Sequence, residues 1–151
     1  QPMFTRRHIL GSLAAATDLA RPAFAGRGAV YAKAGYAIAG YDPVGYFRQS
    51  KPVSGSMQNR LMWRNAVWQF ETEATLAAFE RNPHGYAPRY GGFCALTLTS
   101  GNLTASDPEA WAIYEDNLYL IQSVAARHEW LRDPAGYIAQ ADRQWPQLCN
   151  S

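Results

Sequence analysis

Hydrophobic residues along the chain fall into two short stretches that share one plan. Leu61-Met62-Trp63 and Val67-Trp68-Gln69-Phe70 flank Arg64-Asn65-Ala66, which predicts two strands around a tight turn. Thr72 is placed to cap the helix that follows, with Leu76 and Phe79 on its inner face, and Asn82-Pro83 ends it. The plan then recurs. Ile113-Tyr114 and Leu118-Tyr119-Leu120-Ile121 flank Glu115-Asp116-Asn117, a helix runs from Ser123 to Arg132, and Asp133-Pro134 stops it. A shift that lays Trp68 on Tyr119 aligns the stretches without a gap. It sets Phe70 on Ile121, Phe79 on Trp130, and Asn82-Pro83-His84-Gly85-Tyr86 on Asp133-Pro134-Ala135-Gly136-Tyr137. The shared Pro-x-Gly-Tyr favours an internal duplication; the alternative is a chance match of two common supersecondary units. Either way, two hairpins with covering helices predict an α+β domain built on a small antiparallel sheet.

Upstream, Asp42-Pro43 is a helix start, Asp capping and Pro at the first helical position, with a short helix through Phe47. Residues 26–37 are rich in Gly and Ala and read as a linker. The domain is expected over 38–146, with 147–151 as a tail. The first 25 residues have the layout of an export signal. Arg6-Arg7 precede a short apolar stretch, and Ala23-Phe24-Ala25 forms a small-x-small cleavage site. The arginine pair points to the twin-arginine export machinery, with cleavage after Ala25 and a periplasmic destination.

That leader changes the reading of charge. The formal net charge is +2 over 151 residues, and Arg6, Arg7 and Arg21 against Asp18 account for all of it. The neutral remainder lacks the basic field that a nucleic-acid binder needs. No run of about 18 apolar residues is present, so no stable membrane span is expected. Two cysteines, Cys94 and Cys149, are too few for a disulfide scaffold or a four-cysteine zinc site.

Candidate chemistry gathers around Cys94. Gly91-Gly92 before Phe93-Cys94-Ala95 permits positive-φ backbone ahead of a helix beginning near Phe93. A thiol in that first turn becomes a better nucleophile or metal ligand, because the helix dipole favours the thiolate. The competing reading is a buried packing cysteine. His84, on a turn ten positions earlier, and Glu71, between strand and helix, are the other candidate metal ligands. Tyr41 and Tyr90 stand beside turns, where they can rim a pocket. Trp63, Trp68, Phe79, Trp111 and Trp130 are expected in the core.

Several of these segments together resemble the exported YHS-domain proteins: Gly40-Tyr41-Asp42-Pro43-Val44-Gly45-Tyr46-Phe47, Trp68-Gln69-Phe70, Phe79-Glu80-Arg81-Asn82-Pro83, Tyr86-Ala87-Pro88, Tyr90-Gly91-Gly92-Phe93-Cys94-Ala95 and Asp107-Pro108-Glu109-Ala110-Trp111. The resemblance covers roughly Ile38 to Trp145. It implies a small treble-clef-like α+β fold and a link to the handling of soft metals such as copper. The metal-associated branch has cysteines where this chain carries Gly45 and Glu71, so a thiolate pair is missing. Two functions follow as expectations. The first is a non-catalytic periplasmic module holding a soft metal ion at Cys94 with His84 and Glu71. The second is a thiol-redox enzyme in which Cys94 reacts and Cys149 resolves.

Overall fold

The computed structural model describes residues 29 to 149. The expected leader, with Arg6, Arg7 and the cleavage site after Ala25, lies outside the described residues. In chain order the elements are β1 (Ala32–Lys33), β2 (Tyr36–Ala37), α1 (Pro43–Gln49), β3 (Ser56–Trp63), β4 (Ala66–Phe70), α2 (Glu73–Arg81), α3 (Pro83–Tyr86), β5 (Asp107–Tyr114), β6 (Asn117–Ile121), α4 (Val124–Trp130) and α5 (Pro134–Leu148). Short 3-10 turns occupy Ile38–Gly40, Arg89–Gly92 and Thr97–Ser100. The class is α+β, as the hydrophobic pattern predicts.

Three features depart from expectation. The strands form two sheets instead of one. One has four strands in the order β1-β2-β4-β3, with β2 parallel to β4, and the other is the β5-β6 hairpin. The segment expected as a linker supplies β1 and β2, so the fold begins before Ile38. And Asp133-Pro134 starts a helix as well as ending one. The Asp133 side chain accepts from the Gly136 N–H, and Pro134 takes the first helical position, where no N–H is needed. The resulting α5 runs to Leu148, into the first residues of the expected tail.

The repeated plan is visible residue by residue. β3 pairs with β4 through Leu61↔Trp68, Met62↔Val67 and Trp63↔Ala66; β5 pairs with β6 through Ala112↔Tyr119, Ile113↔Leu118 and Tyr114↔Asn117. Each pairing lies 51 positions from its counterpart, and each hairpin has a register shift at the matching place. Both two-residue turns carry positive φ, at Arg64-Asn65 and at Glu115-Asp116, the left-handed geometry that suits the strand twist. Thr72 and Ser123 cap the helices that follow, and Asn82 and Asp133 cap the next ones. Phe79 and Trp130 are both fully buried in equivalent positions, as expected.

β6 joins the two units. Leu118 and Leu120 point into a core with Val44, Tyr46, Trp68, Phe70 and Phe79. Tyr119 and Ile121, on the opposite face, enter a second core with Cys94, Leu98 and Trp130. A strand buried on both faces explains the continuous apolar run from Leu118 to Ile121, where a half-buried strand would alternate. Tyr46 adds a tie between units, its hydroxyl donating to the Pro108 carbonyl at 2.9 Å. Burial holds that phenol well above its ordinary pKa, so it stays a neutral donor. Among the described residues, no helix is long and apolar enough to cross a membrane.

Candidate functional site

The repeat reaches further upstream than the hairpins, and it reassigns Cys94. Ile38, Ala39 and Gly40 all have positive φ (44°, 57° and 83°); so do Tyr90, Gly91 and Gly92 (58°, 62° and 85°). Positive φ is expected of glycine but unusual for a branched or bulky side chain, so both turns are held by their surroundings. After each turn comes an aromatic residue and then the residue of interest, Asp42 in one unit and Cys94 in the other. The Asp42 N–H donates to the Val53 carbonyl at 2.8 Å, and the Cys94 N–H to the Thr104 carbonyl at 3.0 Å. Asp42 Oδ2 accepts from the Glu71 N–H at 2.9 Å, and Cys94 Sγ accepts from the Gln122 N–H at 3.2 Å. Glu71 and Gln122 are the residues that directly follow β4 and β6. Cys94 is therefore the counterpart of a buried structural carboxylate.

This corrects the expected site. Phe93 is extended and the next helical turn starts at Thr97, so Cys94 does not sit in the first turn of a helix at Phe93. Its relative exposure is 0%, and its sulfur is engaged by backbone. The Glu71 carboxylate lies elsewhere, accepting from Gln49 Nε2 at 2.7 Å on an exposed face. Tyr41 packs against the first core and bridges to Ser54. His84 is exposed and stands edge-on to Trp63, with ring centroids 5.5 Å apart. Cys94, His84 and Glu71 do not converge, and among the described residues no three His, Cys, Asp or Glu side chains are grouped as a metal site. The residues present do not fit a soft metal ion held at Cys94. Cys149 is half-buried near the end of α5, with its thiol directed at the Pro146 carbonyl.

Two of the expected residues do meet. His84 and Tyr90 share a cleft of about 220 Å³ with Trp63, Arg64, Arg89 and Trp145. Its walls come from both halves of the repeat. The end of β3 supplies Trp63, the β3–β4 turn Arg64, and α3 supplies His84. The turn at Arg89–Gly92 supplies Arg89 and Tyr90, and α5 supplies Trp145. Pro88 and Gly91 form part of the lining, and a Cβ at Gly91 would run into the Ala29 backbone, so only glycine fits there.

Each polar group has a definite setting. The Arg64 guanidinium carbon lies 4.6 Å from the centre of the Trp63 ring, a cation–π distance. Arg89 uses Nε to donate to Asn117 Oδ1 at 3.0 Å. The Tyr90 hydroxyl donates to Asp142 Oδ1 at 2.8 Å and lies 3.4 Å from the Ile138 carbonyl. Burial, reinforced by that bond to Asp142, pushes the Tyr90 phenol far up, so it is a fixed neutral donor. The Tyr90 ring also meets Trp145, at 5.8 Å between centroids.

Arg64, Arg89, Asp142 and Trp145 were not among the residues singled out from the sequence. They belong to no motif and come together only when the two units and α5 pack. No protein-family model, curated protein or solved structure matches the chain.

Proposed function

We propose that the chain is an exported binding module of YHS type, and that it holds a small molecule in the cleft between its two units. The observation that carries this reading is the convergence of Trp63, Arg64 and His84 from one unit with Arg89, Tyr90 and Trp145 from the other. Aromatic walls with a few fixed polar groups are the usual make-up of a ligand site. Binding is favoured over thiol chemistry because the Cys94 thiol has no exposed surface and a reactive cysteine must be reached. Export is supported by the order of arginine pair, apolar stretch and small-residue cleavage site in the first 25 residues.

The indole N–H resonances test the cleft. A panel of one-ring neutral, cationic and anionic fragments, together with Cu(I), should contain a probe that shifts the signals of Trp63 and Trp145. The signal of Trp130, buried in the second core, should stay in place. Shifts confined to other residues, or none, would remove the cleft assignment. Export has its own readout. Changing Arg6 and Arg7 together to Lys should hold the protein in the cytoplasm, and the delivered wild type should begin at Gly26 by intact mass. Unchanged delivery of the double variant would count against the twin-arginine route.

A further inference from the structure

We infer that the cleft takes a small planar carboxylate, and that Arg64 and Arg89 bind its anionic end while the aromatic walls hold its body. This rests on the cleft being the binding site, and adds the class of ligand.

The charge of the lining comes first. Arg64 and Arg89 face one carboxylate, Asp142, whose Oδ1 already accepts the Tyr90 hydroxyl. Apart from His84, the lining carries one net positive charge, in a chain whose body is neutral outside the leader.

The donors come second. Among the described residues no hydrogen-bond acceptor is paired with the Arg64 guanidinium, and Arg89 spends only its Nε, on Asn117. The terminal N–H groups of both side chains are left for an outside acceptor. A guanidinium offers parallel N–H groups that match the two oxygens of a carboxylate. The backbone under these donors is fixed. Arg64 stands in the left-handed turn between β3 and β4, at φ 49°, and Arg89 opens the turn that carries Tyr90 and Gly91. Two arginines from different units, each anchored by a constrained turn, line the same cleft and are both available to one anion.

Size and shape come third. A volume of about 220 Å³ is below the roughly 300–1,000 Å³ usual for drug-sized ligands. A nucleotide or an organic cofactor is too large to be enclosed. A single ring bearing one carboxylate suits the room, and the indoles of Trp63 and Trp145 offer it apolar faces and edges.

Three probes of one shape and different charge separate the possibilities: benzoate, benzamide and benzamidinium, titrated into the whole protein and followed by the Trp63 and Trp145 resonances. Benzoate is expected to bind at least about tenfold more tightly than benzamide. Arg64→Gln and Arg89→Gln should each weaken benzoate by about tenfold, the scale of one lost hydrogen bond to a charged group, and leave benzamide unchanged. Both arginines are exposed, so these variants should keep the wild-type melting temperature, and Arg64→Lys should recover only part of the loss. If benzoate binding survives both substitutions, the assignment to the arginines fails. If benzamidinium binds and benzoate does not, the cleft belongs to Asp142; the anion inference fails while the cleft reading stands. If no probe moves Trp63 or Trp145, both fail.

Discussion

Asp42→Ala is expected to destabilise the fold by about 3–5 kcal/mol, far more than a change at its counterpart, Cys94. The Asp42 carboxylate is fully buried, with Oδ1 accepting from the Val44 N–H and Oδ2 from the Glu71 N–H, both at 2.9 Å. Removing it orphans two backbone donors, each costing about 1–3 kcal/mol when buried. It also deletes the cap of α1, a loss of about 0.5–2 kcal/mol. These terms overlap at Val44, which is both capped and orphaned, so they do not simply add. Cys94 accepts one such N–H through a weak sulfur acceptor, and Cys94→Ser should cost only about 1 kcal/mol. Urea unfolding measures both. The expected result is a large fall in midpoint for Asp42→Ala, a small one for Cys94→Ser, and an unchanged slope. Equal losses at the two positions would refute the difference between carboxylate and thiol anchors.

The second large effect lies in the two cores. Phe79→Ala and Trp130→Ala should each cost about 3–5 kcal/mol, the range for deleting a large aromatic side chain from a packed interior. Phe79 touches Trp63, Trp68 and Phe70 at centroid distances of 5.1–5.4 Å; Trp130 lies 5.1 Å from Tyr119 and 6.5 Å from Tyr114. They belong to separate cores, so the losses should add. Together they approach the whole stability of an ordinary domain, about 5–15 kcal/mol, and the double variant should not fold. Trp130→Phe distinguishes packing from polar contact. Among the described residues the buried Trp130 indole N–H has no hydrogen-bond partner, and its counterpart in the other unit is already Phe. That change leaves a small gap but also removes the orphaned N–H, so it should cost well under the loss from Trp130→Ala. A loss as large as that of Trp130→Ala would mean the indole ring does something a phenyl ring cannot.

The strands, caps and repeat were legible because they are local. Two-residue turns, capping residues and the Pro-x-Gly-Tyr after each helix are written in a few adjacent positions. α5 was missed for an equally local reason. Asp-Pro signals a start or a stop, and only the 15 residues that follow Pro134 decide which. β1 and β2 have two residues each, too short to leave a period. Burial of Cys94 is a different kind of fact, set by a contact with Gln122 across 28 positions of chain. One sequence signal pointed to it. A shift of one further residue lays Gly40-Tyr41-Asp42 on Gly92-Phe93-Cys94, which places Cys94 opposite a helix cap instead of an exposed nucleophile. The cleft carried less. His84 and Tyr90 stand beside turns and read as site residues, while Arg64 reads as an ordinary hairpin turn residue and Trp145, near the end of the expected domain, belongs to no motif.

The repeated architecture also bears on how such a site is able to arise. A unit of about 50 residues buries too little surface to be secure alone, and here β6 shows why, since its second face needs the core of the other unit. Two separate copies would have to find each other, and their stability would depend on concentration. Joined in one chain, each copy meets the other at a high local concentration set by the connection. The join also breaks a constraint of symmetry. In a homodimer every substitution appears twice, so a turn that carries Arg64 on one side would carry it on the other. In this chain the matching turn holds Glu115, the position matching Trp63 holds Tyr114, and the position matching His84 holds Ala135. Each half brings different side chains to the cleft they share, which two identical copies could not do.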